Sequence, residues 1–486
     1  MSLPAVLTTN ARNEDQSLEI NTEIVDALYH SAKLTRFEIP KKNIMDSKSS
    51  LIFSIKWTED GTPALDNVRP FLNRNAGGLV FIRNARLLIN GRLVANLEEA
   101  GKYLAMKNWF KSHDSRVNVF DTKYMSSNDW SGPDTVEYAI RPVIGHQVRT
   151  AHDKSIDSSG KLEVEVRLDE IFAVLRDNQL PTNLLEGKIH LEIDWEQDST
   201  SGVTNMSNAV TWAGSAVAAN VASMKGVEVS NPRLLIDFLT YNDAVEAQLR
   251  DQMNTSGMVF RYREVALIRK HVAPATYGQK DFALGMTNRA VQKIFVAKTG
   301  LGGTANQLLQ TNRSDIFYKE KWNCRVNNLN IFDRRVDNYA EQFNYLQQAG
   351  EGVFHIPPQA YERRSTSASG AVEDCAMLGS VTTLALSGAQ TIAPFKGNSV
   401  VADISPAVNY SGHLNYIGID LAKYRRGDEE VWNALRIGST PILFSWDRTA
   451  DPGGDAEMNG ACQFYIWVEY LRQMRVQRGV VEISDM

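Results

Sequence analysis

The chain carries an internal repeat whose period, about 242 residues, is the length of a whole domain. Residues 83–104 (RNARLLINGRLVANLEEAGKYL) align with residues 325–346 (RVNNLNIFDRRVDNYAEQFNYL). The identical pairs are Arg83/Arg325, Leu87/Leu329, Ile89/Ile331, Arg92/Arg334, Val94/Val336, Asn96/Asn338, Glu99/Glu341, Tyr103/Tyr345 and Leu104/Leu346. Average residue usage would give roughly one or two identities over such a window. The period is too long for a solenoid and indicates two similar domains in tandem.

A second window supports the same duplication at a shift of about 251 residues. The aligned pairs are Leu184/Leu435, Gly187/Gly438 and Trp195/Trp446. Together the two windows predict an N-terminal arm over residues 1–24, a first domain over 25–225 and a second domain over 226–486. The Ser-, Ala- and Asn-rich stretch 200–222 is the predicted linker, or a long loop near it.

Strict alternation of apolar and polar residues predicts strands that bury one face. The alternation is clearest in residues 51–57 (LIFSIKW), 162–168 (LEVEVRL) and 188–195 (KIHLEIDW). Residues 462–472 (CQFYIWVEYLR) are apolar on both faces, which predicts a central strand. The strands are separated by long irregular stretches, so we expect β-sandwiches rather than alternating strand–helix units.

Helical periodicity is confined to short segments. An apolar stripe over residues 336–346 predicts one helix, and a second is predicted over 242–253, beginning near Asn242 or Asp243. Asn96 and Asn338 are each followed three residues later by a glutamate, a spacing typical of a capping box. Both copies of the repeat are therefore predicted to form a strand, a short turn and a capped helix.

The composition is that of an ordinary folded protein, with 43% hydrophobic and 22% charged residues. The 52 basic residues face 57 acidic ones. That balance argues against a protein that coats nucleic acid, because proteins that bind many phosphate groups usually carry a basic domain. Cys324, Cys375 and Cys462 are too few for a disulfide scaffold or a four-cysteine zinc site, so we expect reduced thiols. No secretory signal or transmembrane helix is expected.

Catalytic motifs are missing from the sequence. It contains no H-E-x-x-H, C-x-x-C or G-x-S-x-G, and GLGG at 300–303 lacks the Lys-Ser or Lys-Thr of a phosphate loop. The eight histidines are scattered, with no two at i, i+4. We therefore predict no catalytic, cofactor-binding or metal-binding residues, no cofactor and no enzyme activity.

Carbohydrate binding or hydrolysis by a β-sandwich is the alternative function. Hydrolysis needs two carboxyl groups about 5–10 Å apart across a cleft. The most distinctive acids, Asp169 and Asp420, are equivalents in different domains, so helix N-capping is the simpler interpretation. Trp195 and Trp446 are interpreted as core anchors rather than sugar platforms. A receptor-binding or spike protein is a third hypothesis, but the attachment stalk expected of one is not visible.

The C-terminal strands resemble those of a known family. Residues 415–427 (NYIGIDLAKYRRG), 437–448 (IGSTPILFSWDR) and 464–486 (FYIWVEYLRQMRVQRGVVEISDM) are similar to the C-terminal jelly roll of double jelly-roll major capsid proteins. The resemblance is to those of polinton-like viruses and virophages, in the lineage of adenoviruses, tectiviruses and large eukaryotic DNA viruses. It implies an all-β fold of two tandem eight-stranded jelly-roll β-sandwiches with short helices in the loops.

The resemblance also implies a function, that of a major capsid protein. Two sandwiches in each of three chains would give a homotrimeric, pseudo-hexameric capsomer that tiles the icosahedral shell of a virion. The implied partners are copies of the chain, neighbouring capsomers, minor capsid and penton proteins and an inner membrane, without sequence-specific nucleic-acid contact. The arm 1–24 is expected to reach a neighbour or the inner layer, and the loop 361–397 to lie on the outer surface.

Overall fold

The computed structural model describes thirteen parts of the chain, which are residues 19–59, 70–72, 79, 81–108, 110, 162–196, 210–212, 224–300, 314, 320–350, 416–422, 433–449 and 460–486. Within these parts the strands form two β-sandwiches. The predicted surface loop 361–397 and Cys375 lie outside the described residues.

The first sandwich is built from thirteen described strands. They are Glu19–Asp26 (β1), Tyr29–His30 (β2), Leu34–Ile39 (β3), Ile44–Met45 (β4), Ser50–Glu59 (β5), Pro70–Leu72 (β6), Ile82–Ile89 (β7), Arg92–Glu98 (β8), Leu162–Arg167 (β9), Leu180–Pro181 (β10), Ile189–Trp195 (β11), Val210–Trp212 (β12) and Met224–Thr240 (β13). Sheet 1 has the order β10-β4-β13-β5-β9, with β1 also paired to β13. Sheet 2 has the order β2-β3-β11-β7-β8, and β6 pairs with β12 in a separate ribbon.

The second sandwich is built from ten described strands. They are Met258–Val272 (β14), Gly278–Ala283 (β15), Ala290–Gly300 (β16), Glu320–Val326 (β17), Leu329–Asn330 (β18), Ile417–Asp420 (β19), Leu435–Arg436 (β20), Leu443–Arg448 (β21), Cys462–Gln477 (β22) and Val480–Asp485 (β23). Sheet 3 has the order β14-β22-β16-β19, with β20 paired to β16 and β23 to β22. Sheet 4 has the order β15-β21-β17-β18.

Five α-helices connect the described strands. They are Ala100–Asn108 (α1), Leu168–Ile171 (α2), Ala173–Asp177 (α3), Asp243–Thr255 (α4) and Tyr339–Gly350 (α5). The predicted N-cap at Asn338 is confirmed, because its side-chain oxygen accepts the Glu341 N–H at 2.8 Å. The helix predicted near residue 242 is also capped, since the side-chain oxygen of Asn242 accepts the Val245 N–H at 3.0 Å. In the described part of the chain, no helix combines the length and apolar character that crossing a membrane requires.

The predicted cap at Asn96 is wrong. Asn96 lies inside β8, and its side-chain amide donates to the Glu98 carboxylate. Helix α1 begins after Glu99, whose carbonyl accepts the N–H of the residue four positions later, as the carbonyl of Asn338 does at α5. Glu99 therefore corresponds to Asn338. The sequence alignment that paired Asn96 with Asn338 is therefore shifted by three residues from the structural equivalence at this helix start.

The hairpin turns show the duplication directly. Asn90 and Gly91 join β7 to β8 with φ angles of 50° and 74°, and Asn327 and Asn328 join β17 to β18 with φ angles of 50° and 67°. Positive φ at both central residues defines a type I′ turn, whose twist suits a two-residue hairpin and favours Asn and Gly. The structure thus confirms two similar sandwiches. It aligns these hairpins at a shift of 237 residues, however, and not at the 242 of the first window.

The second window is confirmed in detail. Gly187 lies against the turn residue Asn90, and the Gly438 N–H donates to the side chain of the equivalent Asn327. Trp195 and Trp446 are both fully buried, as predicted for core anchors. Each indole packs across its sandwich on a phenylalanine of the opposite sheet, with centroid distances of 4.9 Å for Phe53–Trp195 and 5.0 Å for Trp446–Phe464.

The strand pairing moves the predicted domain boundaries. Strand β13 crosses the predicted boundary after residue 225 and pairs with β1, β4 and β5 along sheet 1, so the first sandwich extends to Thr240. Residues 19–24 of the predicted arm belong to β1. The predicted linker contains β12, which pairs with β6. Composition does not reveal these pairings, because the partners are distant in sequence.

Replacing Gly187 by Ala is expected to destabilise the protein by about 2 kcal/mol, since a Cβ there would lie 2.3 Å from the Asn90 Oδ1 at a φ of +73°. The matched variant in the second sandwich, Gly438→Ala, should cost under about 1 kcal/mol, because its Cβ would lie 3.2 Å from the Asn327 Oδ1. Urea denaturation of both variants measures the difference. Equal losses of unfolding free energy in the two variants would contradict the interpretation that Gly187 is required by its close contact with Asn90.

Candidate functional site

A cluster of polar side chains is buried between the two sandwiches. Among the described residues, no group of three or more His, Cys, Asp and Glu side chains is placed to hold a metal ion. Cys324 and Cys462 are buried and are not joined in a disulfide, and burial raises the pKa of Cys324 to about 12, so its thiol stays protonated. The candidate site is therefore this seam between the sandwiches.

Strand β22 builds one side of the seam. Over residues 462–470 its even-numbered side chains, such as Ile466, face the core of the second sandwich, while Trp467 and Glu469 face helix α1 of the first half. Sheet 3 places β22 between β14 on one edge and β16 and β23 on the other. The prediction of a central strand with two buried faces is confirmed.

Glu469 forms the centre of the first polar cluster. Its carboxylate accepts hydrogen bonds from the Tyr103 hydroxyl at 2.5 Å and from the Lys107 ammonium at 2.9 Å. The carboxylate is almost wholly buried, at 3% exposure. Burial by itself would raise its pKa, but Lys107, Lys293 and the other nearby donors outweigh burial and hold the pKa of Glu469 below its ordinary value. The carboxylate is therefore charged and paired.

Glu264 of β14 forms a second buried group beside the first. Its Oε1 accepts the backbone N–H of Asn96 at 3.1 Å, and its Oε2 lies 3.7 Å from the Arg472 guanidinium without a hydrogen-bond partner. Burial is the dominant influence and raises the pKa of Glu264 to about 7. This carboxyl therefore changes its charge near neutral pH inside the seam.

A small cavity of about 20 Å³ lies between the two glutamates. Its walls come from both halves of the chain and include Tyr103, Arg176, Arg263, Glu264 and Glu469. That volume holds about one water molecule and no larger ligand. The arrangement suits a fixed joint between the sandwiches and not a substrate pocket.

Apolar contacts surround the polar groups of the seam. Trp467 packs on Tyr103 with 6.0 Å between ring centroids, and Phe110 packs on Phe295 at 6.2 Å. One continuous cluster of buried side chains includes residues of both sandwiches. At the rim, Arg269 of β14 pairs with Glu99 at 2.9 Å. Apolar burial is proportional to area, so this shared core holds the halves together.

The structure does not bring the four residues considered for carbohydrate chemistry together. Asp169 pairs with Arg167 and makes no cap hydrogen bond, so its predicted N-capping role is wrong. Asp420 accepts the Ala422 N–H at 2.9 Å and stabilises the turn after β19. Trp195 and Trp446 are inside the cores, where a sugar has no access.

Comparison with solved structures shows the fold of the whole chain. The mavirus major capsid protein matches with a TM-score of 0.52 at 10% identity, over 96% of this chain and 90% of that one. A chain of the virophage Sputnik matches with a TM-score of 0.54 at 11% identity, over 96% and 88%. PBCV-1 VP54, fitted into a reconstruction of Sputnik, matches with a TM-score of 0.56 at 9% identity, over 98% of both chains.

The chain has the double jelly-roll fold. Its predicted fold class, two tandem jelly-roll β-sandwiches, is thereby confirmed. No protein-family model and no curated protein matches the sequence.

Sequence reasoning missed both seam glutamates of the double jelly roll, although each leaves a signal. Glu469 interrupts a strand that is apolar on both faces, and Glu264 continues the phase of the buried residues Met258, Phe260 and Tyr262. A charged residue at a buried phase is costly unless it is paired. Here the hydrogen-bond donors Asn96, Tyr103 and Lys107 come from the other sandwich, and the sequence does not identify them as partners.

Glu264→Gln is expected to remove a pH dependence of stability. The native pKa of about 7 exceeds the ordinary value of 4.5, so the native state binds a proton that the unfolded state releases, and wild-type stability falls as pH rises through this window. The neutral amide avoids that loss, so at pH 8 the variant should be more stable by about 3 kcal/mol.

Denaturant titrations between pH 4 and pH 8 measure this difference. Glu482→Gln, on the exposed surface of β23, is the matched control and should follow the wild-type curve. Parallel curves for Glu264→Gln and the wild type would contradict the assignment.

Glu469→Ala is expected to cost about 3–5 kcal/mol, because it leaves the Lys107 ammonium buried without its partner. Tyr103→Phe, which removes only the hydroxyl, should cost about 1.5–3 kcal/mol. Glu482→Ala serves as the exposed control and should change the unfolding free energy by less than about 0.5 kcal/mol. A loss for Glu469→Ala no larger than that of the control would argue against a buried ion pair at the seam.

Proposed function

We propose that this protein is a major capsid protein. The observation that carries the proposal is the match of both sandwiches, over nearly the whole chain, to the mavirus major capsid protein. Because a fold can host several functions, the proposal also rests on the seam. The seam joins two similar sandwiches through a shared core and buried ion pairs, and its cavity has room for about one water molecule.

The proposed assembly is a homotrimer. Three chains would place six similar sandwiches around an axis and give a pseudo-hexameric capsomer, which tiles an icosahedral shell. Such a unit needs a rigid relation between the two sandwiches of each chain, because neighbouring capsomers would meet through fixed surfaces. The continuous core and the paired Glu469 support that rigidity.

The proposed location is the shell of the virion, and the proposed partners follow from it. Copies of the chain would come first, then neighbouring capsomers. Minor capsid and penton proteins would fill the remaining positions of the shell, and an inner membrane would lie beneath it. The net charge of −5 supports contacts with proteins and not direct binding of a phosphate backbone.

Light scattering after size exclusion tests the assembly. The expected mass is about 163 kDa, three times the chain mass of 54.3 kDa, and it should persist on dilution to micromolar concentration. The same sample should give six-lobed particles in negative-stain micrographs. A protein that stays at the single-chain mass when it is concentrated would refute the proposal and direct work to glycan arrays.

A further inference from the structure

The seam within the chain joins an edge strand of each sandwich. Strand β14, at one end of sheet 3, lies against β8, at one end of sheet 2. The Tyr262 hydroxyl of β14 donates to the Val94 carbonyl of β8 at 2.7 Å, and the Asn96 N–H of β8 donates to Glu264. The chain thus uses one edge of its first sandwich and a different edge of its second.

Each of these two strands has an equivalent in the other sandwich. Strand β1 pairs with β13, the long last strand of the first sandwich, as β14 pairs with the equivalent strand β22. Strand β18 follows a type I′ turn and ends sheet 4, as β8 follows one and ends sheet 2. Strand β1 is thus the equivalent of β14, and β18 is the equivalent of β8. The seam within the chain uses β14 and β8 and leaves the edges of β1 and β18 without this contact.

Both of these edges expose apolar side chains. Large hydrophobic side chains exposed in the described residues are Ile20, Ile24, Leu28, Tyr29, Leu93, Tyr277, Leu329 and Val480. The first four belong to β1, β2 and their link. Ile20 and Ile24 are each 59% exposed and Leu329 of β18 is 72% exposed, whereas Phe260 of β14 is fully buried. Clustered exposure of this kind marks an interaction surface.

Charged residues flank the apolar positions of both edges. Strand β1 (EINTEIVD) carries three acidic residues and no basic one. After β18, Arg334 pairs with Glu341 and Arg335 pairs with Asp447 within the chain, while the two arginine side chains stay 64% and 42% exposed. Opposite charges across an interface select the partner and fix its register. The rim of the seam already uses such a pair, Arg269 with Glu99.

We propose that β1 of one copy docks along β18 of a second copy, as β14 docks along β8 within the chain. The contact is heterologous, since it joins different edges of the two copies. Head-to-tail contacts of this kind close into a ring when the rotation between copies allows it. The inference rests on the proposed function, because it names the surfaces through which the capsomer would form.

Charged substitutions at the two edges test the contact. Ile20→Asp combined with Ile24→Asp, and separately Leu329→Asp, should each lower the mass of the assembly from about 163 kDa to the 54.3 kDa of one chain. Tyr277→Asp is the matched control, because Tyr277 is also exposed but precedes β15 at the opposite edge of sheet 4. The control should retain the full mass, and circular dichroism should be unchanged in all three.

Photo-cross-linking identifies the partner surface directly. A p-benzoylphenylalanine at position 24 is expected to link to peptides from residues 320–338 of another copy, identified by mixing light and isotopically heavy chains. Links from β1 to β1 of another copy, or to the opposite edge of sheet 4, would overturn the proposal.

The outcomes separate this inference from the proposed function. If the wild type assembles and the β1 and Leu329 variants assemble equally well, the proposed contact is refuted while the capsid assignment stands. If the wild type remains a single chain under every condition, both fail. Loss of assembly in both edge variants, with a normal control, supports the contact.

Discussion

The burial of both faces of strand β22 is the constraint on which the rest of the structure depends. One face fills the core of the second sandwich, and the other packs on helix α1 of the first half. A slip of β22 by one residue would exchange its two faces and place the charged Glu469 in the apolar core of the second sandwich, so its register is strongly specified. The register of β22 therefore sets the positions of its neighbours β14 and β16, and through them the orientation of the two sandwiches.

The polar groups of the seam add specificity to this apolar contact. Taking Glu469 and Lys107 out of water costs several kcal/mol per ion, and their attraction with the Tyr103 hydrogen bond offsets that cost in one geometry only. Apolar area alone would tolerate small rotations between the sandwiches, since it is not directional. A buried ion pair tolerates them poorly, and so it favours a single arrangement.

The duplication leaves the chain with an internal asymmetry. The two similar sandwiches meet through different edges, β14 of the second and β8 of the first. Their equivalents, β1 of the first sandwich and β18 of the second, do not take part in this contact. Isologous contacts would have paired like edges and closed the molecule on itself. The acidic β1, with Ile20 and Ile24 exposed, and β18, with Leu329 exposed, are the physical consequence. Assembly through repeated contacts is thus consistent with the arrangement of one chain.

The sequence by itself determined the strands, the duplication and the fold class. Alternation predicts which residues of β9 and β11 are buried, because a strand has a period of two, and Asn242 and Asn338 identify helix starts because their side chains cap locally. The sequence did not determine the register of the repeat. Asn96 aligned with Asn338 as an identical residue, yet strand β8 continues through Asn96 to Glu98, so Asn96 does not begin a helix. Only the tertiary structure decided that β13 belongs to the first sandwich and that Glu264 and Glu469 meet partners from the other half. Those contacts join residues far apart in the chain, and local patterns carry no record of which distant surfaces pack together.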